Sequence, residues 1–528
     1  VSERTMPGNE TSLLTRDRLI PLLLAISATL VVVVSIAPFP VGVFQDDGIY
    51  TVLAKSLATG QGYRYLHIPD APNATHYPPL YPLFLAGLWK VFPAFPANVT
   101  LFKFANAAFI GVGAFMAWHF ARRQVGMSHA TAALSTGAFM ICAPVVLHGV
   151  MVLSEPMFLA ALFPVLMACE RAARTGDRRD ALIAGAAGGA LALIRTLGAV
   201  AIPATILVLA WRRRWTAALL VLAASVAIML PWQLWIATYD DNLPAVFAGR
   251  YGSYSAWLIG GVKEGGVPWL LQLVVFNLRL VVNGGWQLLA IEPLPVAVKW
   301  LATVAVTAFF AGGWWLMLRR APVAAWMVAL YLLVIISWPF EPPRFIFALW
   351  PLVGIIVGLG MHAVFTWRPA ARPRQFARAA AIAMASLLVI GYVRYNYIAA
   401  ESRWPSMVQS FVANRSKPMA EWVMANTPDD ALLSTDDDVL MYLYTGRLTI
   451  PNTTFTPQEH MSPQTPAFAA NALRTILGTY DVDYVLTASN NGIYAARGLV
   501  QANPPELGVV AVFKYGAVFK PQSRGEGQ

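Results

Sequence analysis

A chain of 528 residues that is 57% apolar and only 12% charged falls outside ordinary soluble domains, where about a quarter of the residues carry charge. Its formal charge of +11 comes from short Arg clusters between apolar blocks, which excludes a nucleic-acid-binding face and makes the clusters topology determinants. Cys142 and Cys169 are the only cysteines and both lie in apolar stretches, so neither a disulfide framework nor a Cys-based metal site is expected.

Segment 1–15 is polar, and Arg16 and Arg18 precede the first apolar block, 19–36, which ends at Pro38-Phe39-Pro40 without a small-residue cleavage pattern. This predicts an uncleaved anchor helix. Lys and Arg flank spans on the cytoplasmic side, so Arg16/Arg18, Arg122/Arg123, Arg171 through Arg179, Arg212 to Arg214, Arg319/Arg320 and Arg368 through Arg378 are all expected there. Threading the chain through these points gives an outward helix at 19–38, an external loop at 39–79 and a return at 101–120. Segment 80–93 then stays outside as a short re-entrant or interfacial helix, opened by Pro78-Pro79. An outward run at 130–150 and an inward one at 156–170 put Ser154-Glu155-Pro156 in a tight external turn.

Arg clusters bound 181–210 at both ends, which predicts a hairpin of two short helices with Arg195 near its apex. Gly185, Gly188 and Gly189 would then allow close backbone approach. The alternative is one long crossing with Arg195 buried and paired. After an outward helix at 215–236, a polar and aromatic loop is expected at 237–270 and a surface segment at 270–290. Helices near 294–318, 323–338, 343–366 and 379–399 follow. The predicted fold is mainly α: residues 1–400 form a polytopic membrane helix bundle of about eleven to thirteen helices. Residues 401–528 form a small extracytoplasmic α/β domain, in which 431–434 and 484–487 read as buried strands.

The candidate chemistry begins at Asp46 and Asp47, two adjacent carboxylates directly after a membrane helix. Ile49, Val52, Leu53 and Leu57 repeat at helical spacing, so the acidic pair should open an interfacial helix, with plain N-capping as the simpler reading. Charge parity returns Glu155, Arg195, Glu341 and Arg344 to the same side, and Pro342-Pro343 holds Arg344 at a helix start. Acids and cations converging at one depth point to a buried active site, whereas a lone Arg there would be a snorkelling anchor. His76 lacks a second His or Cys at metal spacing and reads as interfacial, and His148 is close enough in sequence to meet Glu155 across the turn. Asp240-Asp241 and Lys263-Glu264 read as solvated loop charges. The run Asp436-Asp437-Asp438 reads as a helix cap or solvated, since a calcium loop would need further ligands.

The segments Asp46-Asp47-Gly48-Ile49-Tyr50, Gly60-Gln61-Gly62-Tyr63, Tyr77-Pro78-Pro79-Leu80-Tyr81, Leu153-Ser154-Glu155-Pro156, Leu193-Ile194-Arg195 and Arg344-Phe345-Ile346-Phe347-Ala348-Leu349-Trp350-Pro351-Leu352, in that order, resemble the GT-C membrane glycosyltransferases of the protein O-mannosyltransferase and aminoarabinose transferase group. The resemblance covers about residues 1–400. It implies inverting transfer from a polyprenyl-phosphate sugar to an acceptor hydroxyl on the extracytoplasmic side of a multi-pass inner or plasma membrane protein. Asp46 matches the family's first acidic position. Asp47 stands where relatives commonly have Glu, and Tyr77 where the aminoarabinose enzymes carry Lys.

On this reading Asp46 is the general base, with Asp47 and Glu155 completing the catalytic set. Arg344, then Arg195 and Arg250, bind the donor phosphate, and Tyr50, His76, Tyr77 and Lys263 line the acceptor or donor pocket. The partners are the donor lipid, membrane lipids and an acceptor the sequence does not name; no metal, cofactor or nucleic acid is expected. The rivals are a transporter or lipid flippase, which would show internal repeats and a midplane pathway, a metal-dependent oligosaccharide-transferring GT-C enzyme, and a structural scaffold.

Overall fold

The computed structural model describes residues 8–36, 40–240, 243, 245–252, 254–289, 293–366, 371–401, 412, 414–462 and 464–522. Pro38, Phe39, Asp241 and Arg368 lie outside the described residues. Among those described, eight helices are long and apolar enough to cross a membrane, or nine if the bent pair at 129–150 is one span. Helices Leu80–Val91, Thr196–Trp211 and Pro322–Ile336 are apolar but shorter. Leu80–Val91 has 12 residues, about 18 Å at 1.5 Å per residue, which falls short of a full crossing as its sequence predicts.

Packing divides the chain into two compact units. The first comprises Val1–Ile36, Lys103–Pro231 and Val274–Glu401. Here 181–210 is broken as expected: helix Arg178–Ile194 ends at Arg195, whose extended backbone (φ −146°, ψ 130°) leads into the 3-10 turn Thr196–Val200 and helix Ala201–Trp211. Gly176 takes the left-handed conformation (φ 68°) that ends helix Glu155–Thr175, and the Asp177 carboxylate then caps the next helix by accepting from the amides of Arg179 (2.8 Å) and Asp180 (3.3 Å). The three glycines do sit at close helix approaches, two of them to a helix outside the hairpin. A Cβ on Gly185 would lie 2.4 Å from the Val221 carbonyl oxygen and one on Gly189 3.0 Å from Ile228 Cβ, both on helix Trp215–Tyr239; only Gly188 faces the other limb, at Ile202. Gly185→Ala is therefore expected to lower stability by about 1–3 kcal/mol through overpacking. Gly87→Ala, where nothing lies within 4 Å of the new Cβ, should stabilise by up to about 1 kcal/mol. Apparent thermal midpoints in detergent check both, and equal midpoints would remove the close-approach account.

The predicted run at 130–150 bends by 54° between His129–Met140 and Pro144–Val150, because Pro144 starts a new helix. The loop predicted at 237–270 is a larger correction. The structure has a 30-residue helix, Tyr254–Asn283, broken at Gly266 (φ 64°, ψ −167°). Four glycines and the Lys263-Glu264 pair dilute the apolar pattern, yet Leu258–Asn283, which runs across the break, is long and apolar enough to cross a membrane. Gly265-Gly266 followed by Pro268 supplies the kink that joins two helical segments.

The second unit comprises Ala37–Phe102, Trp232–Leu273 and Ser402–Gln528. Its sheet has the order β2-β1-β3-β5-β4, with β1 (Leu432–Thr435), β2 (Leu448–Pro451), β3 (Tyr484–Thr487), β4 (Leu507–Phe513) and β5 (Gly516–Pro521). β1 pairs in parallel with β2 and β3, and β5 closes antiparallel on β3 and β4. The parallel strands are short and almost wholly buried, which is why they lack a solvent-facing polar face; their Ser434, Thr435, Thr449 and Thr487 are buried with the apolar residues. Met419, Val423, Leu433, Met441, Leu486 and Val518 fill the core.

Helix Asp438–Thr445, the crossover from β1 to β2, packs beneath the acidic-pair loop. Gly42, at φ 98°, would drive a Cβ to within 2.8 Å of Leu440, and Gly48 would meet Val439 at the same distance. The Tyr444 hydroxyl accepts from the Val41 amide (3.1 Å).

Candidate active site

Helix Asp46–Ala58 begins at the acidic pair as predicted, but the two carboxylates do different things. Asp47 is fully buried. Its Oδ1 accepts from the amides of Phe44 (3.1 Å) and Gly48 (2.9 Å), knitting the loop to the helix start, and Oδ2 has no hydrogen-bond partner among the described residues. Burial, opposed by these backbone bonds, pushes its pKa from 3.8 up to about 6. The helix N-cap itself is Gln45, with no side-chain cap, so neither carboxylate is the N-cap that the simpler reading expected.

Asp46 is only partly buried and accepts from the Tyr77 hydroxyl at 2.8 Å. Tyr77 is held by an edge contact with Tyr50 (5.2 Å between centroids) and by His76 (4.7 Å), while the Tyr63 hydroxyl donates to the Tyr77 carbonyl (2.8 Å). His76 Nδ1 donates to the Gly252 carbonyl at 2.5 Å, and burial lowers its pKa. Next to it Thr75 donates to Asp240 (2.9 Å), so Asp240 is a structural acceptor and not a solvated charge. Asp46, Tyr50, His76 and Tyr77 thus form one constellation.

In the first unit, Glu155 opens helix Glu155–Thr175 ahead of Pro156, a position where proline loses no helical hydrogen bond. It is 2% exposed and pairs with Arg195 Nη1 at 2.8 Å, which also donates to Ser154 Oγ at 3.0 Å. Arg195, His148 and Arg344 all act electrostatically on this carboxylate. Arg344 is exposed on the short helix Pro342–Ile346, and the Tyr331 hydroxyl donates to the Phe345 carbonyl beside it (2.9 Å). The Arg195 and Arg344 guanidiniums thus both act on one carboxylate, with the exposed Glu341 three residues before Arg344. Pro343 and Ile346, close to Arg344 in the chain, line an apolar cavity of about 210 Å³, together with Tyr331, Phe310, Val328 and Trp350.

Arg250 lies 3.9 Å from Asp438 and donates to Thr453 Oγ1 (3.2 Å). Lys263 is exposed just before the Gly266 break. The acidic run of the tail is not solvated. Asp436 accepts from the amides of Ala488 (2.6 Å) and Ser489 (2.8 Å), Asp437 pairs with Arg415 (3.1 Å), and Asp438 is buried and accepts from the Tyr251 hydroxyl. Tyr251 and its second partner, His67 Nε2 at 3.0 Å, were not singled out from sequence. Their partners lie 184 to 187 residues away, and local pattern carries no such signal. Among the described residues no three of His, Cys, Asp and Glu converge as metal ligands.

Burial pushes the His67 imidazole from 6.5 down to about 4. Its stabilising effect is present above 6.5 and lost as pH falls through 4, whereas that of Asp47 is present below 3.8 and lost as pH rises through 6. Each shift of about two units corresponds to about 3 kcal/mol, opposite in sign over nearly the same window, so the two contributions offset in the parent. Asp47→Asn should make the thermal midpoint climb with pH between 4 and 6.5, and His67→Gln should make it fall. Parallel profiles for the two variants would refute this pairing.

The sequence matches no family model and no curated protein. Solved structures do resemble the chain. ArnT from Cupriavidus metallidurans bound to undecaprenyl phosphate aligns with a TM-score of 0.54 and 17% identity, covering 95% of this chain and 98% of that one. ArnT from the same organism in the apo state aligns with a TM-score of 0.52 and 16% identity, covering 97% and 98%. ArnT is a GT-C glycosyltransferase, and at these identities the likeness is one of architecture: this chain has the polytopic fold of the GT-C membrane glycosyltransferases.

Proposed function

We propose that this protein is a membrane glycosyltransferase that moves a sugar, with inversion, from a polyprenyl-phosphate donor to an acceptor hydroxyl on the extracytoplasmic face. The observation that carries the reading is the apolar cavity of about 210 Å³ whose wall includes Pro343 and Ile346, which flank the exposed Arg344 in the chain. A lipid tail needs an apolar slot, and its phosphate needs a cation at the slot's mouth. The undecaprenyl phosphate bound to the ArnT structure has this chemistry.

In the proposed reaction the acceptor oxygen attacks the anomeric carbon as its proton passes to Asp46. The bond from that carbon to the phosphate oxygen breaks, and the electron pair leaves on the lipid phosphate. Arg344 stabilises the added charge with its guanidinium donors. Arg195 is engaged by Glu155 and Ser154, which gives it the task of neutralising the Glu155 carboxylate. Asp47 fixes the loop that carries Asp46.

The test is purified protein in detergent, given a panel of labelled polyprenyl-phosphate sugars and a mixed acceptor extract. Label should leave one donor, and Arg344→Ala should raise that donor's KM at least tenfold. Binding of polyprenyl phosphate with no donor consumed would favour a transporter or flippase.

A further inference from the structure

The segment Arg250–Gly252 is gripped from two sides. On one, the Tyr251 hydroxyl donates to Asp438 and meets His67 Nε2 at 3.0 Å; the ring, fully buried, packs 4.9 Å from Tyr65. Arg250 reinforces this grip through Thr453 and Asp438. On the other, the carbonyl of Gly252, the next residue, accepts from His76 Nδ1 at 2.5 Å. His76 then lies against Tyr77, and Tyr77 donates to Asp46. A continuous chain of contacts thus runs from the first residue of the β1–β2 crossover helix to the carboxylate at the start of helix Asp46–Ala58.

We propose that Tyr251 and Asp438 are positioning residues for Asp46: by anchoring Arg250–Gly252, they set the Gly252 carbonyl that holds His76 and hence the Tyr77 hydroxyl on the base. This rests on the reading of Asp46 as general base. It gives the C-terminal α/β element a part in catalysis without touching substrate. A misplacement of about 1 Å at a reacting group is enough to lose up to about a hundredfold in rate, so a slackened anchor should register in kcat.

The experiment uses the full-length protein. Tyr251→Phe keeps the ring and removes the hydroxyl; Asp438→Asn keeps an acceptor in place. Tyr251→Phe is expected to lower kcat about tenfold with the donor KM unchanged. Asp438→Asn should lose less, and the double variant no more than Tyr251→Phe alone. Val423→Ala, in the core of the α/β element and itself in none of these contacts, should lower the thermal midpoint while leaving kcat in place.

A second arm needs no turnover. Hydrogen–deuterium exchange should speed up at 44–50 and 73–80 in Tyr251→Phe. Unchanged exchange there overturns the proposal, as does faster exchange with a parental kcat, or a Val423→Ala loss in kcat equal to that of Tyr251→Phe. If exchange quickens as expected but Asp46→Asn keeps full activity, the base assignment has failed and the positioning role falls with it, while the mechanical link stands.

Discussion

Asp46→Asn is expected to lower kcat by about 10²–10⁴-fold, the range spanned by general-base catalysis, with the donor KM changed less than threefold. The substitution is nearly isosteric, and the Asn oxygen can still accept from the Tyr77 hydroxyl that now donates to Asp46 at 2.8 Å. Folding should therefore be intact, and the missing function is proton acceptance. Asp47→Asn makes the matched control. Its oxygen can keep both amide contacts to Phe44 and Gly48, and it removes a charge that burial already disfavours, so its effect on kcat should stay within about tenfold. Initial rates with the donor found in the screen check both. Equal losses in the two variants, or a greater loss for Asp47, would reverse the division of labour argued for the pair.

That division could not be read from the sequence. Two consecutive helix residues point about 100° apart, so which one turns inward depends on what covers the helix start. The cover is Val439 and Leu440, some 390 residues further along the chain. Features set by local chemistry were legible. The apolar lengths gave the spans, the Arg clusters at both ends of 181–210 gave the break at Arg195, and Pro156 after Glu155 gave the helix start. The short, mostly apolar segments 431–434 and 484–487 marked β1 and β3.

The misses are of two kinds. The expectation of a loop and a surface segment fails over Tyr254–Asn283 because glycines and a charged pair dilute an otherwise helical stretch that has a non-helical break at Gly266. The anchor formed by His67, Tyr251 and Asp438 joins three distant segments, each of which looks ordinary by itself. The acidic run at 436–438 was the one usable hint. Three consecutive carboxylates at the end of a buried parallel strand need partners from outside their own element, and all three have them.

Arg195→Ala should cost about 3–5 kcal/mol of stability, because it leaves the Glu155 carboxylate buried without its close partner. Glu155 is 2% exposed and the pair is 2.8 Å apart, so water has little access to replace the guanidinium. Glu155→Gln should cost less than Arg195→Ala, since the amide oxygen can still accept from Arg195 and Arg195 keeps its bond to Ser154. The double variant Glu155→Gln/Arg195→Ala should recover part of the Arg195→Ala loss by removing the stranded charge, a coupling of at least about 1 kcal/mol, well above the roughly 0.5 kcal/mol within which independent sites add. Denaturation midpoints of the four proteins in one detergent measure the cycle. Arg344 makes the outcome informative beyond stability. If its charge, which also acts on Glu155, can take over, Arg195→Ala will cost under 1 kcal/mol and the donor KM will rise instead, as the cation meant for phosphate is drawn to the carboxylate. Additive losses with an unchanged KM would mean that Glu155, Arg195 and Arg344 do not work as one electrostatic cluster.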